Sequence, residues 1–107
     1  MLKKDVLISP EEQFVNMKVY TTKGEVEIFP QKGGWHYVRV PNEITERLLH
    51  EAQRGLIPIK ATFGETSWET SLMPMGDGTH FIALNAKVRK KENIELGMTI
   101  SISFQLR

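Results

Sequence analysis

Cysteine is absent from the chain, which has 107 residues. Its absence excludes disulfide bridges, thiolate zinc sites and cysteine nucleophiles together. A composition without cysteine is typical of proteins in a reducing compartment. The N-terminal sequence MLKKDVLISP also lacks the apolar run of a secretion signal. We therefore expect a cytoplasmic location.

Long apolar runs and an excess of one charge are missing as well. No apolar stretch approaches the ~20 residues that a bilayer-spanning helix needs, so we expect no membrane partner. The chain has 14 lysines and arginines against 13 aspartates and glutamates, and its formal net charge is +1. The protein as a whole is therefore not a polyanion binder by charge, although a local cluster of cations could be one.

The length of the chain fits one domain, and a domain of this size buries roughly two thirds of the surface of its unfolded chain. Residues 1–12 are rich in charge, and Ser9-Pro10 discourages a continuous helix, so we interpret them as an N-terminal leader. Residues 13–107 are predicted to form a single domain. No linker or low-complexity segment divides them.

Alternation of apolar and polar residues with a period of two predicts strands through most of this domain. Lys23-Gly24 is a turn signal, which predicts a hairpin between the first two strands. Pro58 lies inside a strand pattern and predicts an edge position or a bulge. The predicted strands cover residues 14–20, 25–28, 35–40, 57–63, 68–72, 80–84 and 100–106.

The period changes to that of a helix after Pro41. Asn42 is predicted as the N-cap of this clear helix and Gly55 as its stop, with Ile44, Leu48, Leu49 and Ala52 on one face. A second, short helix is predicted over residues 87–93, ended by Gly97. The pattern as a whole predicts a mainly β protein: a small closed or split barrel of about seven strands with one clear and one short helix.

A weak internal repeat relates two parts of the chain. When WHYVRVPNEITERLL, from Trp35, is set over THFIALNAKVRKKEN, from Thr79, His36 falls on His80 and Val38 on Ile82. Each segment reads as strand, polar break, helix, glycine and strand. The repeat predicts two similar halves around a local twofold axis, a pseudo-dimer. Chance similarity between two amphipathic strands is the alternative.

Three ordered pieces carry a family resemblance: WHYVRVP from Trp35, SLMPMGDG from Ser71, and Val88-Arg89-Lys90 followed by Gly97. Together they resemble the bacterial family called domain of unknown function nineteen-oh-five, over about residues 14–107. The resemblance implies a double-split β-barrel described as a pseudo-dimer, distantly like the DNA-binding barrels of the AbrB and MazE type. Members usually carry Gly-Asp before the last strand, where this chain has Gly97-Met98. A shared fold does not establish an activity.

The ligand-binding candidates cluster around Trp35, Arg39 and the SLMPMGDG loop. Met73 and Met75 would form a soft apolar lip on either side of Pro74. The glycines of PMGDGTH precede a strand, whereas phosphate-cradling loops lead into a helix, so a phosphate cradle is not expected. The leading hypothesis is a noncatalytic binding or interaction module for a small anionic ligand or a protein partner. Its predicted site residues are Trp35, Arg39, Met73, Met75, Asp77 and His80.

A basic cluster in the second helix supports an alternative, a weak nucleic-acid-binding protein. Lys87 and Lys91 share a helical face, and Arg89 and Lys90 lie between them. Four cations could neutralise roughly 3–4 phosphates and give weak, salt-sensitive binding. The aromatic residues of the strands could stack bases, although core filling is their commoner use. The favoured interpretation of the cluster is a solvated helix face.

The sequence gives little support for a catalytic site or a metal site. No nucleophile-elbow pattern and no paired acid motif is present. A hydrolase-like centre at His80 and Asp77 is the least favoured hypothesis. If the repeat is real, His36 and His80 could approach each other, but a zinc site would need a third ligand such as Asp77 or Glu69. No metal and no cofactor is predicted.

Overall fold

A computed structural model of the protein describes residues 18–31 and 33–107, and the fold is mainly β. The leader predicted over residues 1–12 and the strand positions predicted at residues 14–17 lie outside this part of the chain. The strands are β1 (Tyr20–Glu25), β2 (Glu27–Ile28), β3 (His36–Val40), β4 (Ile57–Phe63), β5 (Thr66–Pro74), β6 (His80–Leu84) and β7 (Thr99–Leu106); the helices are α1 (Asn42–Thr45) and α2 (Ala86–Glu92), with a 3-10 turn at Leu49–Glu51.

The strands form one antiparallel sheet in the order β1-β7-β4-β5-β6-β3-β2. Its two outermost strands, β1 and β2, are consecutive in the chain and separated only by Val26. The sheet therefore curves back on itself into a nearly closed barrel of seven strands. This architecture confirms the fold class that the sequence predicts.

The barrel is filled by the apolar residues of the period-two pattern. In β4 Ile57, Ile59 and Ala61 are fully buried while Lys60 is exposed, and in β7 Ile102 and Phe104 are buried. Burial of a side chain of this size stabilises a fold by about 1.5–3 kcal/mol. The rest of the core consists of Val26, Val38, Val40, Leu48, Leu72, Ile82, Leu84, Val88, Ile94 and Ile100.

The hairpin predicted at Lys23-Gly24 is wrong. Both residues lie inside β1, where they pair with Ser101 and Ile100 of β7. A Cβ at Gly24 would lie 3.0 Å from the Cγ1 of Val38. The glycine therefore serves close packing between strands inside a continuous strand, a use that the sequence does not distinguish from a turn.

The clear helix predicted after Pro41 is also wrong in its length. Only residues Asn42–Thr45 are α-helical, and Asn42 lies inside the helix with no side-chain cap. Thr45 is buried and its hydroxyl donates to the carbonyl oxygen of Asn42, three residues back, which competes with a regular helix. Leu49, expected on the apolar face, is 51% exposed.

The longer helix is α2, for which the sequence predicts only a short one. Asn85 caps it, since its Oδ1 accepts a hydrogen bond from the backbone N–H of Val88 at 2.8 Å. Asn93, with a φ of 56°, ends it in the left-handed conformation, earlier than the predicted stop at Gly97.

Pro58 does not make β4 an edge strand, because β4 lies between β7 and β5. The ladder with β7 covers only Ile59 to Thr62, so Pro58 stands just beyond it. Proline is tolerated there because no β7 carbonyl requires its missing N–H.

The register between β3 and β6 is compatible with the internal repeat. The β3–β6 ladder pairs Val38 with Ile82 at its centre, and a twofold axis there would exchange the two strands in the observed register. Because His36 and His80 lie at opposite ends of this ladder, about 13 Å apart along it, the predicted approach of the two histidines is wrong. The pseudo-dimer and its origin by duplication stay predictions.

Two short ladders lie at equivalent places. The β2–β3 ladder ends at Glu27–Tyr37, and the β5–β6 ladder ends at Met73–Phe81. Beyond these pairs the strands separate. We call the two openings the β1–β3 split and the β5–β6 split.

Candidate functional site

A groove of about 480 Å³ lies at the β5–β6 split, a size within the usual range of small-molecule sites. We call it the Trp35 groove. β5 contributes Met73, β6 contributes Ala83, and α2 contributes Arg89. The remaining side is formed by the segment that leads into β3. Its lining includes Trp35, His36, Met73, Ala83, Asn85 and Arg89.

A tight turn positions Trp35 at the rim of this groove. The N–H of Gly34 donates to the carbonyl oxygen of Gln31 at 2.8 Å, and the N–H of Phe29 donates to the carbonyl oxygen of Trp35 at 3.0 Å. A Cβ on Gly34 would lie 2.2 Å from the carbonyl oxygen of Phe29. Only glycine fits there, so the position of Trp35 depends on Gly34.

The indole of Trp35 is 56% exposed, which is exceptional among the aromatic residues of this region. Tyr37 and Phe81, by contrast, are buried and pack around Phe29 with ring centroids 4.2 Å and 5.1 Å from it. Core filling, the use expected for these aromatics, therefore describes Tyr37 and Phe81 and is wrong for Trp35.

Arg89 provides the positive charge of the groove. It is half-buried, and its Nε donates to the carbonyl oxygen of Leu84 at 3.0 Å. No carboxylate pairs with it among residues 18–31 and 33–107. Burial, together with the charge of Arg89, lowers the pKa of His36, so this imidazole is neutral at pH 7. Within the described part of the chain, the groove therefore presents a cation without a neighbouring counter-ion.

The predicted basic cluster is divided by the fold. Arg89 faces the groove, whereas Lys87, Lys90 and Lys91 are exposed on α2. Val88, between them, is buried in the core.

Arg39 is not part of the Trp35 groove. It lies at the β1–β3 split, in a groove of about 360 Å³ that also contains Lys23 and Glu25. Its Nε lies 3.0 Å from the Oε2 of Glu27, and its guanidinium lies over the ring of Tyr37. The structure therefore separates the cation of the sequence-predicted site from the indole.

The two methionines are brought together with Trp35. Met73 lines the Trp35 groove, and Met75 lines an adjoining depression that Trp35 shares with Phe29. The apolar lip predicted around Pro74 therefore lies next to the exposed indole.

Asp77 and His80 are not brought together by any hydrogen bond. Asp77 is exposed and its carboxylate accepts hydrogen bonds from the hydroxyl and the N–H of Thr79, which lower its pKa. His80 is 6% exposed, and its Nδ1 has no partner among the described residues. The arrangement offers no catalytic pair at these two residues.

Metal-binding geometry is not found in the part of the chain that the structure describes, where no three histidine, aspartate or glutamate side chains come together. Within the same residues, no helix has the length and apolar character required to cross a bilayer.

His80 predicts an acid-sensitive fold. Burial lowers its pKa below the ordinary value of 6.5, so the unfolded chain binds a proton more readily than the folded one. Stability is therefore expected to be full above about pH 6.5 and to fall as the pH drops through the lowered pKa. Thermal unfolding midpoints measured between pH 7.5 and 4.5 should decline less steeply in His80→Gln than in the unmodified protein. His50→Gln, at an exposed histidine, is the control, and equal slopes for all three proteins would contradict the prediction.

Sequence reasoning missed three contributions to the groove: the turn at Gly34, the neutral His36, and the separation of Arg89 from the other cations. The internal repeat contains a partial signal. It aligns Ala83, Leu84 and Asn85, which line the Trp35 groove, with Arg39, Val40 and Pro41, which line the groove at the other split.

Comparison with known proteins agrees with this architecture. No curated protein matches the sequence. Residues 23–104 match the family described as Domain of unknown function (DUF1905). This match covers most of the chain, from β1 to β7, and includes both splits. The chain therefore belongs to the DUF1905 family.

Proposed function

We propose that the protein is a noncatalytic binding module, and that the Trp35 groove holds an anionic ligand with an apolar body. The observation that carries the proposal is the half-buried guanidinium of Arg89, which lacks a carboxylate partner in the described part of the chain, beside an exposed indole. Such a cation supports a ligand that supplies the missing negative charge.

The walls of the groove favour the apolar part of the ligand. Trp35 offers a flat apolar surface, and the thioether of Met73 adapts to ligands of different shape. Each methylene of the ligand that leaves water would contribute about 0.8 kcal/mol. A hydrogen bond to a charged group contributes about 1.5–3 kcal/mol. Both contributions together support modest affinity for a small carboxylate.

The proposal is tested with aliphatic and aromatic monocarboxylates and their uncharged amides, titrated against the protein while tryptophan fluorescence is recorded. The carboxylates should bind and the amides should bind more weakly. Arg89→Gln is expected to weaken carboxylate binding by about 10- to 100-fold, the equivalent of one charged hydrogen bond. Arg39→Gln, at the other split, is the matched control and should bind normally. Equal affinity of acids and amides, or normal binding by Arg89→Gln, would contradict the proposal.

The nucleic-acid alternative is supported by the exposure of Lys87, Lys90 and Lys91 on α2. It is tested as a further arm of the same titrations, with labelled DNA and RNA oligonucleotides at low and physiological salt. Binding that falls steeply with salt and disappears when the three lysines are changed to glutamate would support it. No binding at low salt would leave the three lysines as a solvated face.

Two further properties belong to this proposal. The composition without cysteine supports a cytoplasmic location, and the family resemblance supports a bacterial source. The equivalent ends of the two short ladders support a pseudo-dimer in which only one split has become the ligand site.

A further inference from the structure

The β5–β6 split exposes an edge of the sheet as well as a groove. The N–H of Met75 donates to the carbonyl oxygen of Thr79 at 2.8 Å, in the same register as the pair Met73–Phe81. In an antiparallel ladder every second residue directs its N–H and C=O to the same neighbour. The next such pair would be Ser71 with Ala83, but the ladder ends before it. The backbone N–H and C=O of Ala83 therefore face the split without a β5 partner.

The β1–β3 split is an internal comparison for this edge. Arg39 stands there at the place equivalent to Ala83, and its carbonyl oxygen accepts a hydrogen bond from the Thr22 hydroxyl at 3.2 Å. The ion pair between Arg39 and Glu27 also covers that split. Thr22 and Trp68 occupy equivalent places, because Thr22 precedes Phe29 by as many residues as Trp68 precedes Met75. Trp68 has no hydroxyl that can donate to the carbonyl oxygen of Ala83. Among the residues that the structure describes, side chains occupy the β1–β3 split and leave the β5–β6 split open.

We propose that the Trp35 groove binds the C-terminal end of an extended peptide, which pairs with β6 at Ala83 and places its terminal carboxylate on Arg89. This inference rests on the proposed function, since it names the class of ligand for the same groove. Addition of a strand to an exposed sheet edge is a common way of recognising peptides, with main-chain hydrogen bonds for affinity and side-chain pockets for specificity.

The dimensions and the charge of the groove match such a ligand. The free edge of β6 spans residues 82–84, roughly 10 Å of strand, which pairs with two or three peptide residues. Trp35 and Met73 receive an apolar side chain of the peptide. The cation of Arg89 complements the terminal carboxylate, and no acidic residue among residues 18–31 and 33–107 lines the groove.

The test uses a randomised hexapeptide pool with free C-termini, from which peptides retained by the immobilised protein are sequenced and synthesised singly. Each is made as the free acid, as the C-terminal amide, and with one of its last three backbone amides N-methylated. We expect the free acid to bind at least tenfold more tightly than the amide. N-methylation should weaken binding at alternate positions only, because alternate N–H groups face β6. Arg89→Gln should remove the difference between acid and amide.

A second readout follows the protein rather than the peptide. Exchange of the backbone amide hydrogen of Ala83, measured by NMR, should slow on peptide binding, while that of Arg39 should not change. N-methylation without effect at all three positions, or unchanged exchange at Ala83, would overturn the inference. If the pool yields no peptide while monocarboxylates still bind through Arg89, the peptide inference falls and the proposed function stands. If neither class binds, both fall.

Discussion

Replacement of Gly34 by alanine is expected to destabilise the protein by about 3 kcal/mol, the upper part of the usual range for overpacking. The new Cβ would lie 2.2 Å from the carbonyl oxygen of Phe29 and 2.9 Å from that of Gln31. Both contacts are with backbone atoms, so no side-chain rotation relieves them. The turn between β2 and β3 must open, and Trp35 must move with it.

Gly33→Ala is the matched control for this substitution. A Cβ at Gly33 meets no atom within 4 Å, so the substitution is destabilising only through the left-handed backbone, with its φ of 74°. A left-handed alanine costs about 1–2 kcal/mol, less than the steric overlap at Gly34. Urea unfolding of the two variants, followed by circular dichroism, should therefore give a lower free energy of unfolding for Gly34→Ala than for Gly33→Ala. An equal or reversed ranking would show that the close approach of residues 29 and 34 does not limit the turn.

Two substitutions of aromatic residues should separate the core from the groove. Phe104→Ala is expected to lower the free energy of unfolding by about 3–5 kcal/mol, because it empties a filled position of the barrel. Phe104 is 1% exposed and stacks on Tyr20 with ring centroids 5.5 Å apart. Trp35→Ala removes a larger side chain, but that side chain is 56% exposed. We expect it to change the free energy of unfolding by about 0.5 kcal/mol or less.

The contrast is measured by urea unfolding of both variants beside the unmodified protein. Loss of binding by Trp35→Ala at full stability would show that the indole serves a ligand and not the fold. A loss of several kcal/mol in Trp35→Ala would instead make the indole a structural residue, and the groove would lose its main apolar wall. Scattered single apolar residues are common on protein surfaces, so the adjoining Met73, Met75 and Arg89 are what give the exposure of Trp35 its meaning.

The difference between the two splits explains why the ligand is proposed to bind at one of them and not at the other. The split with Arg39 is occupied by charges that neutralise each other, Arg39 with Glu27. The split with Arg89 holds a cation, a neutral imidazole and an exposed indole. A ligand bound at the first would have to displace an existing ion pair, whereas a ligand bound at the second would complete one. Equivalent positions of one barrel thus differ in what they can recognise.

The strands were predictable from the sequence because their signal is local. In β7 the alternation of Ile100, Ile102 and Phe104 with serine decides which face is buried, whatever the strand pairs with. The pattern of β4 and β6 is as clear. Local pattern also explains the errors. Lys23-Gly24 and the segment after Pro41 contain the usual residues of a turn and of a helix, and packing against Val38 and around Thr45 overrides both.

The sequence by itself determined the fold class, most of the strands and the family. The tertiary structure alone decided which residues form the candidate site. In the folded chain Arg39 lies apart from Trp35, and Arg89 lines the groove with Trp35 instead. Arg39 pairs with Glu27, whereas Arg89 points into the opposite split. The tertiary structure also left the indole exposed and the edge of Ala83 open. These outcomes depend on where two strands stop pairing, a long-range event that no local pattern encodes.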